Sequence, residues 1–564
     1  MAMAPILSLA AIFCAAAFVI HFDFHLPQAT DALWLAALAL WAAAVRSSAE
    51  RSAVALLPPR GELVPLALVL PVFAACWLPF HDNWRWAFTG DSFGIFTVGY
   101  WFGLKGPPDS LLSVHGIDNF YTRLWETSYN WLMYVFEPTL FWHRVGQLLM
   151  SCLALSAIYS FFCLMLGKRW ALLVILATMT NHVWLWLSYI SYLRTDSFVF
   201  YYATLIVAYA LWRNPQHMML WLCAGMIGGL SLFFTPVVWG AVAAVAIVLG
   251  CRELRHLRLR GIAIYAVSFL LAATPILTEL PWMVEMLQQQ ALARDAGHEV
   301  YWPGADYFYR TFRTIVISAY DTPIHVLGMD GGMLRPPLSQ LCLAGMLLAA
   351  VAMVGPLRRR LRLPGAAPVL LGLLLWDALL FTATNKGYGA PSHKRFYNLI
   401  PLQLFFALLP LHWIGQAQGE HGHSVRRLAF GFAAVAVAVA AALALWRIVH
   451  PHPGMYGNNL ADGLIEVRQR FARQPVTLIS TRPRLDDIVG TGGLIHQTYG
   501  IADRLTVVAQ PSAGVLADGC EQQGLVCYDV RGAPEDVAAV MIAAGWQPVP
   551  LLNTAELRCY GCPA

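Results

Sequence analysis

The chain has 564 residues, of which 58% are hydrophobic and 12% charged, with a formal net charge of +5. A soluble protein carries about 25% charged residues, so this composition excludes a soluble globular enzyme, and its apolar content excludes a disordered chain. Mean hydropathy is +0.57, and the excess positive charge sits beside apolar runs, where Arg sets membrane topology, rather than in a nucleic-acid-binding patch.

Apolar runs fall at Ala4–Ile20, Ala32–Val45, Leu63–Pro79, Val145–Leu166, Ala171–Leu187, Ser197–Trp212, Met218–Phe233, Pro236–Gly250, Ile262–Leu277, Leu341–Val354, Ala366–Thr382, Leu399–Ile414 and Leu428–Trp446. They predict about thirteen membrane helices. The first run has no basic residue before it and is read as a retained helix, with cleavage near Ala16 as the alternative.

Lys and Arg collect on the cytoplasmic side of a membrane. The basic loops are Arg46 with Arg51 and Arg60, Lys168 with Arg169, Arg252 to Arg260, Arg358 to Arg362, and Arg426 with Arg427. One parity places all of them in the cytoplasm. The stretch His81–Arg144, the turn around Arg194, the loop Pro281–Pro337, the segment Asn385–Arg395 and everything after Arg447 are then external. This divides the chain into an N-terminal hairpin (1–62), a transmembrane module (63–447) with external loop 81–144, and an extracytoplasmic domain (448–564).

The external loop mixes Trp, Tyr and Phe with Asp and Arg, as suits short amphipathic helices lying on the membrane surface like a lid. In the tail, Val476–Ser480 and Leu505–Ala509 read as strands, Gly490–Gly493 as a turn and Pro534–Ala544 as a helix, giving a small α/β domain. Gly490, Gly492 and Gly493 lack the strand-to-helix spacing of a phosphate-binding loop. Cys520, Cys527, Cys559 and Cys562 also lie in the tail. In an oxidising compartment they predict two disulfides, of open connectivity, over the rival four-thiolate zinc site.

Ionisable residues at the mouth of an apolar bundle mark function. Three places qualify: Asp91 within Phe88-Thr89-Gly90-Asp91-Ser92-Phe93, the turn Arg194-Thr195-Asp196, and the cluster Ser392-His393-Lys394-Arg395-Phe396-Tyr397. Either Asp, taken alone, serves equally well as a helix N-cap, and the cluster alone suits lipid headgroups. The parity argument puts all three on one face. Carboxylates and cations together at a bilayer surface suit a phosphorylated lipid: cations for the phosphate, and a carboxylate to take a proton from an attacking hydroxyl. The segment Gln288–Arg313 adds Arg294, Asp295, Tyr301, Trp302, Tyr307, Tyr309 and Arg310, a mixture suited to carbohydrate stacking or to interfacial anchoring. His115, Asp118 and His298 are further external candidates.

The order of these features resembles the GT-C fold of membrane glycosyltransferases that use polyprenyl-phosphate sugars, including protein O-mannosyltransferases and lipid A aminoarabinose transferases. Leu124-Trp125-Glu126-Thr127-Ser128-Tyr129-Asn130-Trp131-Leu132, followed by Phe141-Trp142-His143-Arg144, looks like that family's passage from lid to membrane. Tyr192-Leu193-Arg194-Thr195-Asp196-Ser197 looks like its Arg-Pro-Asp turn, and Lys394-Arg395-Phe396-Tyr397-Asn398-Leu399-Ile400-Pro401 like its Arg-Tyr-Leu-Leu-Pro motif. The likeness covers roughly Leu63 to Pro410. It departs from many relatives at Ser92, where they carry a second acid, and at Thr127, where the aminoarabinose branch carries Lys.

The resemblance implies a polytopic α-helical, GT-C-like enzyme of a bacterial inner membrane, with its site and tail in the periplasm. Asp91 and Asp196 would be catalytic, with a divalent metal shared between them as an open possibility. Arg194, Lys394, Arg395 and His393 would bind the donor phosphate, and Glu126, Tyr129 and Tyr397 would line the lid and substrate. The expected donor is a polyprenyl-monophosphate sugar, and the expected acceptor an envelope lipid, glycan or protein. The rivals are a transporter or flippase, for which Asp377 is the clearest mid-span acid, a polymerase or ligase using diphosphate-linked oligosaccharides, and a glycan receptor.

Overall fold

A computed structural model of the protein describes residues 3–23, 29–48, 56–77, 112, 114–115, 121–136, 140–181, 184, 188, 195–234, 238–255, 259–281, 285, 335–353, 367–384, 397–415, 422–449, 467, 474–479, 505–508, 524–529, 536–548 and 557–561. Its helices are α1 (Met3–Asp23), α2 (Thr30–Ser48), α3 (Arg60–Trp77), α4 (Arg123–Val135), α5 (Leu140–Leu166), α6 (Lys168–Met179), α7 (Thr195–Arg213) and α8 (Met218–Ser231). They continue with α9 (Trp239–Arg255), α10 (Leu259–Thr278), α11 (Arg335–Val351), α12 (Ala367–Thr384), α13 (Ile400–Gly415) and α14 (Gly422–Val449).

Each apolar run read from the sequence overlaps one of these helices. Met3–His21, Phe141–Leu166, Leu259–Thr278 and Tyr397–Ile414 are each long and apolar enough to cross a membrane. Ile6, Leu9, Phe13 and Ile20 on α1 are each more than half exposed, a surface that suits lipid and not water. The chain is a multi-pass membrane protein.

The run Ala171–Leu187 does not give the single expected helix. Thr180 bonds its hydroxyl back to the carbonyls of Leu176 and Ala177, and Asn181 Oδ1 accepts the Trp184 N–H at 3.4 Å. These side chains offer the backbone partners outside the helical ladder, and α6 stops at Met179.

The main core joins α5, α6, α7, α12 and α13 through Leu155, Tyr159, Val174, Tyr201, Leu374 and Phe406. A second core gathers Phe18, Trp34, Phe233 and Ile276, and α2 is pinned to α10 by Trp34 Nε1 on the Leu271 carbonyl (2.9 Å) and Trp41 Nε1 on Ser268 Oγ (2.8 Å). Within the stretch 81–144, α4 buries Tyr129, Asn130, Leu132 and Met133 and exposes Trp131, Tyr134 and Val135. Just before α4, β1 (Val114–His115) and β2 (Tyr121–Thr122) pair antiparallel.

In the tail, β3 (Val476–Ile479), β4 (Leu505–Val508), β5 (Leu525–Asp529), β6 (Gln547–Pro548) and β7 (Leu557–Gly561) form a five-stranded sheet in the order β4-β3-β5-β7-β6. β3 runs parallel to both β4 and β5, and β7 antiparallel to β5 and β6. Helix α15 (Val537–Ala543) supplies Val537 and Met541 to a core with Ile479, Val526, Trp546 and Tyr560. Cys527 and Cys559 lie directly opposite across β5 and β7, 4.0 Å apart at Cα, and are joined by a disulfide. The expected turn Gly490–Gly493 and the other two tail cysteines, Cys520 and Cys562, lie outside the described residues.

Candidate active site

The site is built around the first turn of α7. Thr195, Asp196 and Ser197 are fully buried there, and a helix N-terminus favours a carboxylate through its unpaired N–H groups and dipole. Tyr129, on the buried face of α4, donates its hydroxyl to Asp196 Oδ1 at 2.6 Å and accepts the Asp196 backbone N–H at 2.9 Å. Thr195 Oγ1 lies 3.4 Å from the same hydroxyl. Burial first, and the neighbouring Asp196 charge second, push the Tyr129 phenol well above its ordinary value of 10. Tyr129 is therefore a fixed proton donor to the carboxylate and does not compete with it for charge.

Gly146 on α5 makes this reach achievable. A Cβ there would collide with the Tyr129 carbonyl, so only glycine lets α4 lie this close to α5. The adjacent Asn130 points to α5 instead, its Oδ1 2.6 Å from His143 Nδ1. Arg144, one residue on, is almost completely buried. Gln147 and Ser151 continue the His143 face at helical spacing. Both are buried, and neither the Gln147 amide nor the Ser151 hydroxyl has a hydrogen-bond partner among the described residues.

On the other side, the short 3-10 turn Tyr397–Leu399 closes against α7. The Tyr397 ring lies 5.4 Å from that of Phe198, and Tyr202 donates to the Asn398 carbonyl at 3.2 Å. Deeper along α7, Tyr201 donates to Asp377 Oδ2 at 2.8 Å. Asp377 on α12 is buried, and its Oδ1 has no partner among the described residues.

Of the residues expected in the site, Asp196 and Tyr129 are therefore in direct contact, and Tyr397 packs two residues along α7 from Asp196. Glu126 lies on α4, but its side chain is outside the described residues, as is that of His115 on β1. Asp91, Asp118, Arg194, His298, His393, Lys394, Arg395 and the segment 288–313 also lie outside them. Sequence reading assigned no role to Asn130, His143, Arg144, Gln147 or Ser151. For His143, Gln147 and Ser151 the signal was present as polar residues four apart along one face of an otherwise apolar helix.

The metal expected between Asp91 and Asp196 falls partly outside the described residues, because Asp91 does. Among the described residues, no three or more His, Cys, Asp or Glu side chains gather as a group that could hold an ion.

No protein family and no curated protein matches the sequence. Among solved structures, the chain is similar to ArnT from Cupriavidus metallidurans bound to undecaprenyl phosphate, at a TM-score of 0.41 and 13% sequence identity, covering 89% of this chain and 98% of that one.

Proposed function

We propose that the protein is an integral-membrane glycosyltransferase that moves a sugar from a polyprenyl-monophosphate donor to an extracytoplasmic acceptor with inversion. The observation that carries this reading is the Tyr129–Asp196 pair. Asp196 is buried and its residue is held to Tyr129 by two hydrogen bonds, and Phe198, two residues on, packs against Tyr397. A helix cap exposed at a membrane surface needs no such second helix to hold it.

In the proposed reaction the acceptor hydroxyl gives its proton to Asp91 as its oxygen attacks the anomeric carbon. The bond from that carbon to the phosphate oxygen breaks, and its electron pair leaves with the phosphate. Lys394, Arg395, His393 and Arg194 neutralise the departing charge, which is where such a transition state gains most. Asp196, fixed by Tyr129, orients Arg194 and closes the site under the lid helix α4. A single displacement inverts the anomeric centre.

Transfer of radiolabelled sugar from a panel of polyprenyl-phosphate donors, in membranes holding wild type, Asp91→Asn or Asp196→Asn at matched levels, tests the reading. Transfer by wild type that both variants lose supports it, and equal labelling by Asp91→Asn removes that residue from the chemistry. One observation favours a transporter instead: Asp377 is a buried mid-span acid. Under that reading Asp377→Asn abolishes uptake, and Asp91→Asn leaves it intact.

A further inference from the structure

A cavity of about 820 Å³ lies between α5, α7, α9 and α12, well within the range of small-molecule sites. Its wall is apolar, with Met165, Leu205, Ile247, Leu373 and Trp376 among the lining residues, and Arg213 stands at one end. Trp212, Ile247 and Val369, which also line it, are more than half exposed, so it opens sideways toward lipid. Arg213 closes α7, and Asp196 opens it. About 25 Å of helix separates the two at ~1.5 Å per residue, and no headgroup seated at one end touches the other.

The charges at this end are arranged for an anion. Arg252 donates to the Trp212 carbonyl at 2.8 Å, and its guanidinium lies 4.5 Å over the Trp212 ring. The Arg213 guanidinium lies 5.6 Å from the Tyr209 ring centre. The facing acid is Glu253, 3.9 Å from Arg252, while Arg213 has no ion pair among the described residues. Stacked arginines over an apolar slot match a phosphate attached to an acyl chain.

We propose that this cavity is a binding site for an anionic glycerophospholipid of the leaflet at the basic end of the bundle, with one acyl chain between α7 and α12 and its phosphate on Arg213 and Arg252. The site is separate from the proposed sugar-transfer centre and does not depend on that reading.

The test is native mass spectrometry of the full chain released from vesicles of phosphatidylglycerol and phosphatidylcholine, with sugar transfer measured on the same preparations. Wild type is expected to retain one phosphatidylglycerol in preference to phosphatidylcholine. Arg213→Glu is expected to lower that retention about fivefold or more, since each basic residue near a membrane contributes roughly fivefold. Gly372 lines the cavity, and a Cβ there meets nothing within 4 Å, so Gly372→Phe is expected to fill the slot and expel the lipid from a monodisperse protein. Gly372→Leu serves if the larger residue aggregates. Equal retention of both lipids, retention unchanged in the filled variants, or a bound polyprenyl phosphate lost on filling would each overturn the proposal. Absence of sugar transfer by wild type, with lipid retention as expected, would count against the transferase reading alone.

Discussion

Tyr129 and Asp196 stand 67 residues apart in sequence and exchange two hydrogen bonds through a single phenolic oxygen. That oxygen gives its proton to the carboxylate and takes the N–H of the same residue, so the rotamer of Asp196 and the seat of α4 are one structural fact.

Tyr129→Phe removes the hydroxyl and leaves a buried carboxylate oxygen and a buried N–H without it. The expected cost is about 1–3 kcal/mol of stability, with sugar transfer falling by roughly tenfold or more. Thermal unfolding and transfer rate on the same preparation check both. Because the folded-state phenol is raised above 10, the neutral folded form loses ground as pH rises past the unfolded value. Wild type should therefore weaken above about pH 10 through this residue, and Tyr129→Phe should lack that contribution.

Gly146→Ala forces α4 off α5, since the new methyl meets the Tyr129 backbone. Overpacking of this kind costs about 1–3 kcal/mol. The expected signature is activity loss resembling Tyr129→Phe, with protease cleavage newly directed at α4. Unchanged activity would show that α4 tolerates displacement.

Asp377→Asn retains an acceptor for the Tyr201 hydroxyl and removes only the charge. Sugar transfer is expected to stay within about twofold of wild type. A drop as deep as that of Asp196→Asn would bring Asp377 into the reaction.

Cys527→Ser with Cys559→Ser opens a cross-link that spans 32 residues. Closing such a loop stabilises by roughly 3–4 kcal/mol in the chain-entropy account. Limited proteolysis should cut the tail of the variant at a temperature where wild type resists. Alkylation under non-reducing conditions should leave Cys527 and Cys559 of wild type unmodified.

Most of the membrane-embedded architecture was legible because it rests on local physics. An apolar run must satisfy its own backbone in lipid, and it does so as a helix. The break at Thr180 and Asn181 was harder to read, since hydropathy does not register a side chain competing for backbone hydrogen bonds. In the tail, β3, β4 and α15 showed as short apolar segments. β5 and β7 did not, because Cys527 with Tyr528 and Arg558 with Cys559 interrupt alternation, and their pairing depends on partners about thirty residues away. At the site, Asp196 stood out as a charge where lipid disfavours one. Tyr129 was expected at the lid through the family resemblance, but its bond to Asp196 was not legible, because a tyrosine in an aromatic loop looks the same whether it faces solvent, sugar or a carboxylate.

The strand order of the tail bears on its biogenesis. β7 is the last strand to be synthesised, yet it lies inside the sheet, between β5 and β6. Until residues 557–561 are made and docked, β5 presents a bare edge carrying an unpaired Cys527 thiol. An open edge invites pairing with other chains, and an unpaired thiol invites mixed disulfides. A chain ended before Leu557 would thus expose both hazards together, and its need for chaperones should exceed that of the full chain.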